Sequence, residues 1–138
     1  MTEKVTLVIY VYNEYLNLKQ IMPTIKKEWY DQLIIIDGGS TDGSYEYLKQ
    51  KGYEIYKQKQ PHWAGAYMEA YEHAKGDIII DFSPDGNSIT EKIPELVKKI
   101  KDNQFRLLVG PFKNFNTLKS AYISLNNLGF EGLNIYQE

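Results

Sequence analysis

The 138-residue sequence contains no cysteine, which excludes disulfides, iron–sulfur clusters, thiolate zinc sites and thiol catalysis. Arginine is almost missing: of sixteen basic side chains only Arg106 is a guanidinium. Bidentate contacts to phosphate and guanine favour that fork, and a net charge of -2 leaves no positive surplus, so no nucleic-acid partner is expected. No apolar run approaches the roughly 20 residues that span a bilayer. The opening Met1-Thr2-Glu3-Lys4-Val5 also lacks the basic-then-apolar layout of a signal peptide. The expectation is a soluble protein with no transmembrane segment, cytoplasmic and at most peripheral at the membrane.

What the chain does contain is 43% hydrophobic residues and twelve tyrosines, enough for a packed core and for wet surfaces on which sugars or bases stack. Short β-branched runs alternate with helical stripes. Strands are predicted at Val5 to Val11, Leu33 to Ile36, Tyr53 to Tyr56 and Ile78 to Phe82. Between them, Leu18, Ile21, Met22, Ile25 and Trp29 mark a helix that Pro23 kinks or divides. Ser44 to Lys51 forms a second helix, stopped by Gly52. Trp63, Tyr67, Ala70 and Ala74 mark a third, with Gly76 as its stop. Ile93, Leu96, Val97 and Ile100 mark a fourth, with Thr90 as its N-cap. Phe105 to Val109, a helix through Leu118 to Leu128 and Leu133 to Tyr136 complete the pattern. This alternation predicts an α/β fold, a three-layer α/β/α arrangement around a mainly parallel sheet. The chain reads as one domain over 1–138, with 103–138 an atypical strand-helix-strand.

Ligands of such sheets bind beyond the carboxyl ends of the strands, and the polar residues gather there. Tyr12, Asn13 and Glu14 follow the first strand, Asp37 and the Gly38 to Gly43 loop the second, and Ser83, Asp85, Asn87 and Ser88 the fourth. Three acids among small hydroxylated loops suit a ligand with a ribose, a phosphate and a divalent cation. Taken singly, Glu14 and Asp42 also suit helix N-termini, and Asp85 suits an Asx turn. Asp81 reads as a strand-end residue, His62 as a solvated loop residue and His73 as helix surface. Tyr10 and Trp63 fit core positions at least as well as stacking ones. Lys98, Lys99 and Lys101 read as a solvated helix face.

Val8-Ile9-Tyr10-Val11-Tyr12-Asn13-Glu14, Ile34-Ile35-Ile36-Asp37-Gly38-Gly39-Ser40-Thr41-Asp42-Gly43-Ser44, Gly65-Ala66 ahead of Ala74-Lys75-Gly76-Asp77, and Asp81 to Gly86 occur in the order of the family-2 glycosyltransferases. Over about residues 5–100 the chain resembles that family, in particular its dolichyl-phosphate mannose synthase-like branch. The resemblance implies the Rossmann-like nucleotide-diphospho-sugar transferase fold called GT-A. It also implies transfer of a sugar from a nucleotide diphosphate sugar to an acceptor hydroxyl or lipid phosphate. On the same ground, Glu14 and Asp37 would hold base and ribose in a pocket shared with Tyr12, Asn13, Gly39 and Ser40. Gly65 would let its loop approach the nucleotide, and Asp85 would bind Mg2+ or Mn2+.

Three departures accompany the likeness. Asp37-Gly38 stands where the family has two acids, and Ser83-Pro84-Asp85 where it has an acid at each end. After Asp85 no matching acid-rich motif supplies the general base or the acceptor contacts. The alternative expectation is therefore a non-catalytic or partner-completed nucleotide-sugar-binding module, with a homo-oligomer or a completing partner in view.

Overall fold

A computed structural model describes residues 3–101 together with Asn116, Lys119, Ser120, Ile123 and Asn127. Four strands form the sheet: β1 (Val5–Val11), β2 (Gln32–Asp37), β3 (Glu54–Lys57) and β4 (Ile78–Phe82). All pair in parallel in the order β3-β2-β1-β4. The helices are α1 (Tyr15–Ile21), α2 (Ser44–Gln50), α3 (His62–His73) and α4 (Ile93–Lys101).

Strand β1 is buried at all seven positions, as an unbroken apolar run in the middle of a covered parallel sheet must be. Its odd residues Val5, Leu7, Ile9 and Val11 join Ile35, Ile78, Ile80 and Phe82 under Leu18 of α1, Leu48 of α2 and Ile93 of α4. Its even residues Val8 and Tyr10 join Ile34 and Ile36 against Ala66 and Ala70 of α3. The period-2 alternation of side chains thus divides one strand between two cores. The result is the expected three layers: α1, α2 and α4 on one face and α3 on the other.

Pro23 does divide the first helical stripe. Helix α1 ends at Ile21, and two 3-10 turns follow, Met22–Thr24 with the proline near its start and Lys27–Trp29. Gly52 takes φ 79° beyond α2, and the Gly52 and Tyr53 amides bond back to the Lys49 and Leu48 carbonyls, the capping that a left-handed residue permits. Two expected helix signals act otherwise. Helix α3 stops at His73, and Gly76 lies where an added Cβ would stand 2.7 Å from the Lys4 carbonyl oxygen and the Thr6 amide. It is a close-packing glycine beside β1. Thr90 does not cap α4: it opens a 3-10 turn, Thr90–Lys92, whose cap residue is Ile89. Its hydroxyl pairs instead with that of Thr24, 2.9 Å away.

The chain divides into two compact units, Met1–Leu107 and Leu108–Glu138. Every element above lies in the first. In the second, the five described residues are helical and exposed, with Ser120 Oγ donating to the Asn116 carbonyl at 3.0 Å. The expected strands at 105–109 and 133–136, and the apolar stripe of the fifth helix, fall outside the described residues.

Candidate functional site at the carboxyl edge of the sheet

Successive strands step from β1 to β2 to β3, and the chain then returns to the other side of β1 for β4. That reversal of strand order falls at the carboxyl ends of β1 and β4, the position where open α/β sheets take ligands. The Tyr12–Glu14 loop borders one side and the Ser83–Ser88 loop the other. The Asp37–Gly43 loop lies next to the first, because Val11 and Asp37 are register partners.

The first two loops are stitched together. Asn13 donates its amide to Ser40 Oγ at 3.0 Å and accepts the Thr41 amide on Oδ1 at 2.8 Å. The Glu14 amide donates to Ser44 Oγ and the Tyr15 amide to Asp42 Oδ2, both at 3.0 Å. Asp42 also accepts the Ser44 amide and hydroxyl, so one carboxylate serves the exposed N-terminal amides of both α1 and α2. Burial opposes the charge of Asp42, but these donors outweigh it and hold its pKa below the usual carboxylate range.

Asp37 is 1% exposed. It accepts the Gly39 amide at 3.0 Å and the Ser40 amide at 3.2 Å. These bonds fold the loop around a buried carboxylate and satisfy it there. Gly39, at φ 93°, turns the loop outward with open space around it. Glu14 is half-buried and accepts from Asn17 Nδ2 at 2.6 Å. Asp85 is exposed and accepts the amide and the side-chain nitrogen of Asn87 at 3.0 and 3.1 Å. That is the Asx turn, and the carboxylate stays open to solvent.

Gly65 and Asp81 each meet a partner within the protein. A Cβ on Gly65 would lie 2.1 Å from the Gln60 carbonyl oxygen, so the missing side chain admits the chain's own loop. Asp81 is the last residue but one of β4, as expected, and its side chain faces α3, where Tyr10 Oη donates to it at 2.8 Å. Burial raises the pKa of Asp81 against the pull of that bond, and raises that of Tyr10 too, with the Asp81 charge adding to the effect. Burial together with the same charge pushes Tyr67 up to about 12. Asp81 therefore does not join Asp85.

Helix α3 turns a different face inward than its aromatic spacing implied. Gly65, Ala66, Glu69 and Ala70 are buried, while Trp63 is 60% exposed. His73 is no free surface residue: it bonds Glu69 at 3.0 Å and stacks on Tyr56 at 3.6 Å. Small residues bring the helix close to the sheet, and Glu69 can sit beneath it because Lys59 pairs with its charge and His73 hydrogen-bonds to it. Lys98 and Lys99 are exposed as expected; the side chain of Lys101 lies outside the described residues. Gln58 carried no sequence signal, yet its side chain donates to the Gln60 carbonyl, and to that of His62 at 2.6 Å.

The donor set fits a magnesium-type ion only with help. Asp85 offers one hard carboxylate, and such ions are held by one or two carboxylates plus substrate phosphates. Among the described residues, the one grouping of three metal-ligating side chains, Glu69, Glu72 and His73, belongs to α3. Two of its members are bridged by the Lys59 ammonium. No helix among the described residues is long and apolar enough to cross a membrane.

Comparison with known proteins agrees with this architecture. The family model for glycosyl transferase family 2 matches residues 6–135. The undecaprenyl-phosphate 4-deoxy-4-formamido-L-arabinose transferase of Salmonella choleraesuis is 31% identical over 111 residues, covering 70% of this chain and 33% of the relative. Its Salmonella paratyphi B counterpart matches equally. The chain thus spans about a third of the length of these curated relatives. Among solved structures, Mycobacterium tuberculosis glucosyl-3-phosphoglycerate synthase with Mn2+, UDP-glucose and phosphoglyceric acid superposes with a TM-score of 0.66 at 20% identity, covering 74% of this chain and 40% of that one. Its complex with Mn2+, UDP and glucosyl-3-phosphoglycerate gives 0.63 at 21%, covering 71% and 39%. At that identity the likeness carries the fold alone. Parallel sheet, strand order, loop motifs and family match agree, and the chain belongs to glycosyl transferase family 2 with the GT-A fold.

Proposed function

We propose that the carboxyl edge of this sheet binds a nucleotide diphosphate sugar, and that the chain acts in transferring the sugar to an acceptor, a lipid phosphate by analogy with the arabinose transferases. One observation supports the reading: Glu14 and the Gly39–Ser40 loop follow the carboxyl ends of the neighbouring strands β1 and β2, and Asp85 follows β4, the neighbour of β1 on its other side. Glu14, half open to solvent, accepts hydrogen bonds from a ring NH or from ribose hydroxyls. Asp37 works from beneath, holding the Gly39 and Ser40 amides in position, while Tyr12 and Asn13 complete the wall. Gly65 supports the pocket indirectly, by letting the Gln60 loop close over α3. Asp85 is the residue to hold Mg2+ or Mn2+. When bound, such an ion offsets the charge that grows on the diphosphate as the glycosidic bond breaks. The protein's own part is to orient the nucleotide and fix its loops.

A thermal-shift panel tests this reading, since a ligand that binds only the native state raises the melting temperature. UDP- and GDP-sugars are expected to raise it, more so with Mn2+, and Asp85→Ala is expected to remove the metal-dependent part. No shift with any nucleotide sugar in the presence of metal would reject the pocket.

A second reading, a binding module completed by another polypeptide, is favoured by Asp81. Among the described residues, the other carboxylate of β4 and its loop faces α3 and is engaged by the Tyr10 hydroxyl, so it is not free to act as general base beside Asp85. Sugar transfer to undecaprenyl phosphate by the isolated chain would decide for the enzyme; nucleotide binding without turnover would decide for the module.

A further inference from the structure

We infer that Trp63 is a stacking contact for the base of the bound nucleotide, an inference that rests on the nucleotide reading above. A single exposed aromatic ring needs no explanation by itself, but three observations set this one apart. First, its orientation is fixed. The indole packs edge-on against Tyr10 at 5.8 Å and 71°, and lies 6.1 Å from Tyr67, which itself packs edge-on to Tyr10 at 5.2 Å. Tyr10 is in turn anchored through its hydroxyl to the half-buried Asp81.

Second, the backbone is strained where the ring is displayed. Among the described residues, only two non-glycines adopt positive φ, Asn13 at 55° and His62 at 68°. Each adjoins an exposed aromatic residue, Tyr12 at 63% and Trp63 at 60%. Such strain persists where the surroundings hold it, and it clusters at ligand clamps.

Third, the backbone just before Trp63 is tied to the loop junction that the Tyr12 ring borders. Tyr12 Cδ2 and Gln58 Oε1 both lie against Gly38, 3.4 and 3.6 Å from where its Cβ would stand. The same Gln58 side chain reaches the His62 carbonyl, one residue before Trp63. An aromatic face held open at a polar, glycine-rich loop suits a base, whose π-face stacks whatever its identity. The choice among bases then falls to the polar groups around it.

The sequence offers a direct readout, because Trp29 and Trp63 are its only tryptophans. In Trp29→Phe, emission comes from Trp63 alone. UDP or GDP with Mn2+ is expected to quench it along a curve that gives the same Kd as calorimetry. Trp63→Ala is expected to weaken that Kd about tenfold or more, while Trp63→Phe keeps most of the affinity. Calorimetric binding with no quench and an unchanged Kd in Trp63→Ala overturns the inference and leaves the nucleotide pocket standing. Absence of binding to the unaltered chain overturns both. Should Trp63→Ala fail to fold, the quench in Trp29→Phe decides alone.

Discussion

At Asp81 the half-buried carboxylate meets Tyr10, and desolvation raises its pKa although Tyr10 donates to it. A carboxyl group whose native pKa lies above its unfolded value binds its proton more tightly when folded. Its contribution to stability therefore falls as pH rises from the unfolded carboxyl value through the raised native one. Asp81→Asn keeps an oxygen for the Tyr10 hydroxyl and removes the charge. It is expected to melt higher than the parent at pH 7, with a flatter dependence of Tm on pH between 4 and 7, as followed by circular dichroism. Parallel pH profiles for the two proteins would contradict this account. Gly65 gives a prediction of opposite sign. A methyl group there meets the Gln60 backbone, which cannot retract as a flexible side chain can. Gly65→Ala is expected to cost about 1–3 kcal/mol in urea denaturation.

At the scale of elements, Asp42 joins the starts of α1 and α2. Its lowered pKa means that the stability it adds is present above the unfolded carboxylate value and is lost as pH falls through the native one. Asp42→Ala is expected to cost about 1 kcal/mol, as loss of a helix cap does, and to speed hydrogen exchange at the Tyr15 and Ser44 amides together. Exchange that rises at only one of them would separate the two helices.

Asp42 also marks how far the sequence could be read. Strand β1 and the three-layer order were legible because burial on both faces leaves an uninterrupted apolar run. The motif loops were legible because glycine and small polar residues cluster at strand ends. What stayed hidden depends on partners distant in the chain. Glu69 looks like helix surface until Lys59 and His73 close on it. Asp81 reads as a plain strand-end residue, and its bond to Tyr10, 71 positions away, leaves no local signal. Trp63 shares the spacing of a core stripe whose members Tyr67 and Ala70 do pack on the sheet, but Trp63 itself stands at the start of α3 and is exposed. Thr90 has the chemistry of a cap, and a hydroxyl on Thr24 captures it instead.

For the molecule as a whole, β1 is the strand on which the others depend, and it acquires its two neighbours at different times. It pairs with β2 through contacts such as Val5 to Asp31, 26 residues apart, and reaches the β4 side only across the 73 residues from Lys4 to Asp77. Non-local pairings form late because the loop must close first. In pulse-labelled refolding, the β4 amides are expected to gain protection after those of β2; simultaneous protection would argue for a single concerted step. The same order matters on the ribosome. At about 5–20 residues per second, roughly 2 to 9 s separate the emergence of Asp37 from that of Phe82. Through that interval one edge of β1, the strand buried at all seven positions, has no native partner, and an open apolar edge is the surface on which a half-made sheet is exposed to aggregation.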